Sequence, residues 1–340
     1  MKAYRIPHGA NIDGLQLHDI TERPLGPYEV RVNVRAVSLN YRDLMVVSGN
    51  YPIKPDAPVI PCSDGAGEVI AVGEKVSRVK PGDRVAASFF PNWADGKATP
   101  TKLNQALGGD VDGMLAEQVT LHEEGLVKVS DTLSYAEAAT LPCAATTAWN
   151  AIFESSDVRP GDTVLLLGTG GVSILALQMA KAAGLRTIIT SSSDAKLERA
   201  RKLGANVTIN YRTHPEWQDE VLRHTDGRGV DVVLEVGGEG TVTRSVAATA
   251  VGGSIAIIGG VSGFGGEVNP FSLAMTAKHM VGIYVGSRTM LERTAEHMVG
   301  AGIKPVIDKV FPFAQAKEAY RYLESGQHFG KVVIEMGESR

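Results

Sequence analysis

Residues 168–173 read Gly168-Thr169-Gly170-Gly171-Val172-Ser173, directly after an apolar run at 163–167. A glycine at the first position permits a tight turn. One at the third lets backbone N–H groups approach a pyrophosphate at the start of a helix, where the amide dipoles favour negative charge. The third place of the fingerprint holds Ser173 instead of glycine, still small enough for close packing of helix on strand. Gly168, Gly170, Gly171 and Val172 therefore form a candidate dinucleotide-binding turn. Enzymes that use NAD on this pattern end the next strand with an acid for the ribose hydroxyls. Here that place reads Ser191-Ser192-Ser193, with Lys196 one turn into the following helix. Hydroxyl donors and a cation suit a 2′-phosphate, so Ser191, Ser192 and Lys196 favour NADPH. Asp194 keeps NAD(H) as the alternative, and the serines also suit a polar strand end with a helix cap.

The elements that must position these groups follow from the pattern. From residue 162 the chain alternates strand and helix: strands at 163–167, 187–190 and 207–209, with helices at 172–183 and 195–203 between them. Gly184 and Gly204 are the helix stops. Apolar runs at 231–236, 254–258 and 280–285 supply three more strands. Six strands separated by helices predict an α/β, doubly wound parallel sheet of the Rossmann type. Residues 2–126 read differently, as short β-type runs broken by Gly and Pro at 29–38, 65–72, 84–88 and 114–121. Residues 91–113 carry no periodic pattern and predict a long loop. The last segment, 308–336, contains a helix at 313–323 and a strand at 331–335, and is expected to rejoin the first domain.

Composition narrows the function classes. A chain of 340 residues suits two domains. Its 44% hydrophobic and 21% charged residues are those of a globular protein. The net charge of −4, without a basic stripe, argues against a nucleic-acid partner. No apolar run reaches bilayer length, and the N-terminus lacks a secretory pattern, so the expectation is a cytoplasmic protein without a membrane partner. Two cysteines, Cys62 and Cys143, read as buried thiols and are too few for a four-cysteine zinc site. None of the eight histidines falls in a metal or triad pattern.

With these features in hand, the chain resembles the zinc-free branch of the medium-chain dehydrogenase/reductase superfamily, that of quinone oxidoreductases, zeta-crystallin and enoyl reductases. The resemblance spans nearly the whole length. It rests on Leu39-Asn40-Tyr41-Arg42-Asp43-Leu44, the run from Pro61 through Asp64 and Gly67 to Val69, Lys80-Pro81-Gly82-Asp83, Leu141-Pro142-Cys143, the Gly-rich turn and Gly330-Lys331-Val332-Val333. It implies a GroES-like, mostly β catalytic domain from residues 1–144 and 289–340 around a Rossmann domain at 145–288. At the three catalytic-zinc positions of the zinc enzymes stand Asn40, Ser63 and Cys143, and one thiolate cannot replace three ligands. The resemblance therefore implies no metal. It also implies that Thr147, Gly259, Gly260 and Val261 border the nicotinamide, that Tyr211 lies beside the 2′-phosphate, and that Lys331, with Asp64 as charge partner, lies near the pyrophosphate. Tyr51 matches a tyrosine that donates a proton or lines the pocket, with Asn40 as a second catalytic candidate.

The activity so implied is NADPH-dependent hydride transfer to a quinone or an activated C=C bond. An NAD(P)-dependent alcohol dehydrogenase and an NADPH-binding structural or regulatory protein without turnover are the alternatives. The expected partners are a small electrophilic acceptor and further copies of the chain, as a homodimer or tetramer paired through 280–285.

Overall fold

The computed structural model describes residues 1–52 and 57–337. The chain divides into two compact units, residues 147–285 and residues 1–146 with 286–340.

The unit of residues 147–285 is a six-stranded parallel sheet. Its strands are β1 (Thr163–Leu166), β2 (Arg186–Ser191), β3 (Val207–Asn210), β4 (Val230–Glu235), β5 (Thr249–Ile257) and β6 (His279–Gly282). They lie in the order β3-β2-β1-β4-β5-β6. The order reverses between β1 and β4, the switch point at whose C-terminal edge doubly wound sheets bind ligands. All four residues of β1 are buried, as a central parallel strand covered on both faces requires. Leu165, Ile188, Ile209, Val233 and Ile255 form its core with Trp217 and Val221. Truncating Leu165 to Ala would cost about 2–5 kcal/mol, the usual range for a buried leucine.

Helix α1 (Gly171–Ala182) follows β1, and α2 (Asp194–Lys202) follows β2. Gly184 and Gly204 have φ of 73° and 104° just beyond these helices, where an L side chain would be strained. Strand bounds of this sheet depart from the sequence expectation by more than one residue at two places. β6 stops at Gly282 because Val285 takes a φ of 56° and its carbonyl is captured by Asn150 Nδ2 at 2.8 Å. β5 starts at Thr249, ahead of the expected 254, through a register shift opposite β4.

The other unit is built on a seven-stranded sheet. Its long central strand, Glu29–Leu39, pairs antiparallel with Asp64–Val72, Gln118–His122 and the C-terminal strand Lys331–Glu335. The chain's two ends are thus joined in one sheet. Lys331–Glu335 also pairs parallel with Ile307–Pro312, a mostly exposed strand without alternation that the sequence pattern does not reveal. The strand expected from 114 begins only at Gln118, because Met114 and Leu115 donate instead to the carbonyls of Cys62 and Pro61. That approach is close. A Cβ on Gly108 would lie 2.5 Å from the Cys62 carbonyl carbon, and one on Gly113 2.1 Å from its oxygen. Residues 91–113 form a loop with one short helix, Pro100–Leu103, rooted by buried Phe90, Trp93 and Leu107. A short helix, Tyr41–Ser48, begins at Asn40, whose backbone N–H donates to Asp43 Oδ2 at 2.7 Å.

Candidate active site

The dinucleotide turn leaves β1 at Leu166. Gly168 has a φ of 72°, and a Cβ built there would meet nothing within 4 Å, so the glycine serves backbone conformation and leaves open space beside it. Its N–H donates to Thr190 Oγ1 at 3.2 Å, which ties the turn to β2. Gly170 is the N-cap of α1 and Gly171 its first residue, with Val172 next, so the turn delivers the chain to a helix N-terminus. Ser173 secures the turn from within the helix, its hydroxyl donating to the Leu167 carbonyl at 2.6 Å. A glycine there would leave that carbonyl of the turn without this donor.

At the end of β2, Ser191 and Tyr211 are brought together, for Tyr211 N donates to Ser191 O at 3.1 Å. Ser191 is buried, Ser192 and Lys196 are half-buried, and Tyr211 is exposed. Ser193 caps α2 by accepting from Lys196 N at 3.4 Å. Asp194 is engaged by Asn210 Nδ2 at 2.7 Å.

Gly259, Gly260 and Val261 follow β5 in a loop pinned to the one after β4. Ser262 Oγ donates to Gly237 O at 2.7 Å and accepts from Gly240 N at 2.9 Å. Beneath both loops lies Glu235, fully buried, whose carboxylate accepts from Gly237 N, Gly238 N, Thr241 Oγ1 and Ser245 Oγ. Glu235 has no place among the residues expected from sequence. An acid closing the fourth strand just before Gly237-Gly238 was the available signal. Thr147 is buried at the start of this unit.

In the other unit a polar cluster surrounds Asn40. Lys331 is buried and its ammonium donates to Leu39 O at 2.7 Å and Asn40 Oδ1 at 2.5 Å. Asp64, also fully buried, accepts from Ser63 Oγ at 2.7 Å and from Cys143 N at 3.0 Å. Burial pushes its carboxyl above the usual range, against the pull of Lys331, Ser63 and Asn40. Asp43 is raised to about 6, first by burial, with Arg42 and the Asn40 N–H holding it down. The Arg42 guanidinium donates to Leu107 O at 2.6 Å and lies 4.9 Å from the centroid of the Tyr51 ring, so these two residues meet. Tyr51 is half-buried. Arg42 and Asp43 are markers of resemblance in the sequence and carry no role there; a buried cation gives no signal in a linear pattern.

Catalytic zinc does not fit this cluster. Of the three positions, Asn40 has its oxygen on an ammonium and Ser63 gives its proton to Asp64. The Cys143 thiol is pushed far above its ordinary value, first by burial and then by Asp64, whereas zinc binds the thiolate. Among the described residues no group of three or more His, Cys, Asp or Glu converges as a metal site. Cys62, also free, is buried against Tyr320 at 3.1 Å.

The alcohol dehydrogenase GroES-like domain model matches residues 26–131, and the zinc-binding dehydrogenase model matches 171–300. A zinc-type alcohol dehydrogenase-like protein of Schizosaccharomyces pombe is 47% identical over 318 residues, with 92% of each chain covered. The chain is a medium-chain dehydrogenase/reductase. As such it is an oxidoreductase. Two solved structures of this kind are similar over their full length. One, an NAD-dependent alcohol dehydrogenase, superposes with a TM-score of 0.90 at 36% identity, covering 99% of this chain and 100% of that one. The other, a quinone oxidoreductase of Pseudomonas syringae, gives 0.84 at 30% identity, covering 98% and 99%. The zinc in the second model's name does not bear on this dehydrogenase/reductase's ligand positions, since Asn40, Ser63 and Cys143 all lie outside 171–300. No helix among the described residues is long and apolar enough to cross a membrane.

Proposed function

We propose that this medium-chain dehydrogenase/reductase reduces a quinone or an activated C=C bond with NADPH and without catalytic zinc. One observation carries the reading: at the positions that would hold the metal, the Asn40 and Ser63 side chains are neutral and bonded to Lys331 and Asp64, which leaves Cys143 alone as a thiol. Without a Lewis acid to polarise an alcohol or a simple carbonyl, the acceptor must already be electrophilic, as an enone, enoyl thioester or quinone is. That makes alcohol oxidation, the activity several relatives are named for, the less suited chemistry here.

Each part of the cofactor and acceptor has its own set of residues. Gly168, Gly170, Gly171 and Val172 receive the pyrophosphate on the N-terminus of α1. Ser191, Ser192, Lys196 and Tyr211 receive the 2′-phosphate. Asp194, the acid that would favour NAD(H), is instead held by Asn210. Thr147, Gly259, Gly260 and Val261 border the nicotinamide, which supplies the hydride when bound. Tyr51 then gives its phenolic proton as negative charge develops on the acceptor, and the Arg42 guanidinium beside its ring stabilises the negative charge that passes to the phenol. Asn40 donates from its amide to the acceptor oxygen. β6 has one unpaired edge, and a second copy of the chain is its partner in a homodimer. Tyr51→Phe tests the mechanism. A fall in turnover of about 100-fold or more with NADPH affinity unchanged is expected for a lost proton donor, and unchanged turnover removes Tyr51 from the reaction.

A further inference from the structure

We infer that Lys331 is a positioning residue that fixes the orientation of the Asn40 amide, and that the Lys331–Asp64 pair does the organising work at the zinc positions that a metal does elsewhere in the family. The inference rests on the role given to Asn40 above. Each of the three positions is wired to this pair: Asn40 Oδ1 accepts from Lys331 Nζ at 2.5 Å, Ser63 Oγ donates to Asp64 Oδ1 at 2.7 Å, and Cys143 N donates to Asp64 Oδ2 at 3.0 Å. A side-chain amide is nearly symmetric in shape and can flip, exchanging acceptor for donor. An ammonium has donors only, so an NH₂ turned toward Lys331 would meet no acceptor. The Lys331 bond therefore sets Oδ1 toward the ammonium and fixes Nδ2 as the donor end of the amide.

Nδ2 is the atom of interest. Asn40 is 9% exposed, and its Nδ2, which forms no hydrogen bond of ordinary geometry, lies within reach of the Asp64 carboxyl, which the amide helps to hold down. A donor held this loosely by Asp64 keeps an N–H for an oxygen that arrives with the substrate. The bond to a cation also draws electron density from the amide and makes its N–H groups better donors. Lys331 itself has Leu39 O and Asn40 Oδ1 on its ammonium and Asp64 lowered by its charge. Two of its three donors are thus engaged within its own unit, and the pyrophosphate role that the resemblance implies is the alternative that the NADPH titration below reads.

A double-mutant cycle distinguishes the two roles. Asn40→Ala, Lys331→Met and the double variant are compared on the best acceptor, with NADPH titrated as a separate readout. Lys331 acting through Asn40 predicts a roughly tenfold or larger fall in kcat for each single variant, no further fall in the double, and NADPH affinity within about threefold of the parent. Losses that multiply, or a tenfold weaker NADPH with kcat intact, overturn the inference. Asn40→Ala with full turnover would instead remove Asn40 from the mechanism proposed above. If that variant is impaired and Lys331→Met is not, the mechanism stands and only the inference falls. Should Lys331→Met fail to fold, the side-chain NH₂ resonances of Asn40, assigned by their loss in Asn40→Ala, give the answer in the parent protein. They should shift when acceptor is added to the NADPH-loaded enzyme, and resonances that do not move overturn the inference.

Discussion

Replacing Asp43 by Asn should change the stability of this protein in a way that depends on pH, increasingly in the variant's favour as pH rises. Asp43 is 1% exposed; its Oδ2 accepts from Asn40 N and its Oδ1 has no partner. Burial pushes its carboxyl from 3.8 to about 6, even with Arg42 beside it. Between those values the native state binds more protons than the unfolded chain, so stability is fully present below the lower one and falls as pH rises through the upper. A shift of about two units, at about 1.4 kcal/mol each, gives a penalty below about 1 kcal/mol at pH 4 that grows to about 3 kcal/mol above pH 7. Asn keeps a carbonyl for the Asn40 N–H and carries no charge, but its NH₂ takes the place of the unpartnered Oδ1, a cost of about 1–3 kcal/mol that does not vary with pH. The attraction that Arg42 loses is already contained in the net shift. Thermal melts of the two proteins from pH 4 to pH 8 provide the assay. At about 2–4 °C per kcal/mol for a unit of this size, the melting temperature of Asp43→Asn relative to the parent should rise by roughly 4–10 °C between pH 4 and pH 7.5. A difference that stays constant with pH, or that moves in the variant's favour toward acid, would refute the reasoning.

Ser191→Asp should swing the NADPH-to-NADH affinity ratio toward NADH by about 1–3 kcal/mol through repulsion of the 2′-phosphate; titration with both cofactors measures it, and an unchanged ratio contradicts the assignment of Ser191. The parent chain should scatter light as a dimer or larger at micromolar concentration, and Val281→Lys, on the edge strand β6, should shift it toward monomer. A parent that is monomeric throughout that range contradicts pairing through β6.

The doubly wound sheet was legible because parallel strands buried on both faces appear as uninterrupted apolar runs, and Gly184 and Gly204 mark the helix ends. The dinucleotide turn was legible even with Ser173 in place of glycine, and the structure supplies the reason for that serine in its bond to Leu167 O. The other unit was legible only as irregular β structure, since its sheet depends on pairing across the whole chain. Ile307–Pro312 is a strand only because Lys331–Glu335 lies beside it. The helix Tyr41–Ser48 was missed although Asn40 and Asp43 stand at its N-cap and N3 positions; its eight residues are too few to display a helical period. Lys331 illustrates the limit of reading by position. The resemblance implied a place near the pyrophosphate with Asp64 as charge partner, and only the tertiary structure brings its ammonium to Asn40. Glu235 went unnoticed for a different reason, since its four donors all come from the loop and helix that follow it in the chain and an acid closing a strand before Gly237-Gly238 was readable.

The central claim, hydride transfer to an activated acceptor without zinc, is tested most directly by one measurement. The protein is stripped with a chelator and its metal content determined, and NADPH oxidation is then followed with a panel of quinones, enones and enoyl thioesters beside NADP⁺ reduction by simple alcohols. The account predicts that protein with less than a tenth of a zinc ion per chain, a threshold of roughly that order for a metal-independent enzyme, retains full turnover with an enone, enoyl thioester or quinone and turns over alcohols far more slowly. Activity that disappears on chelation, returns with one zinc ion per chain and is highest on simple alcohols would contradict it.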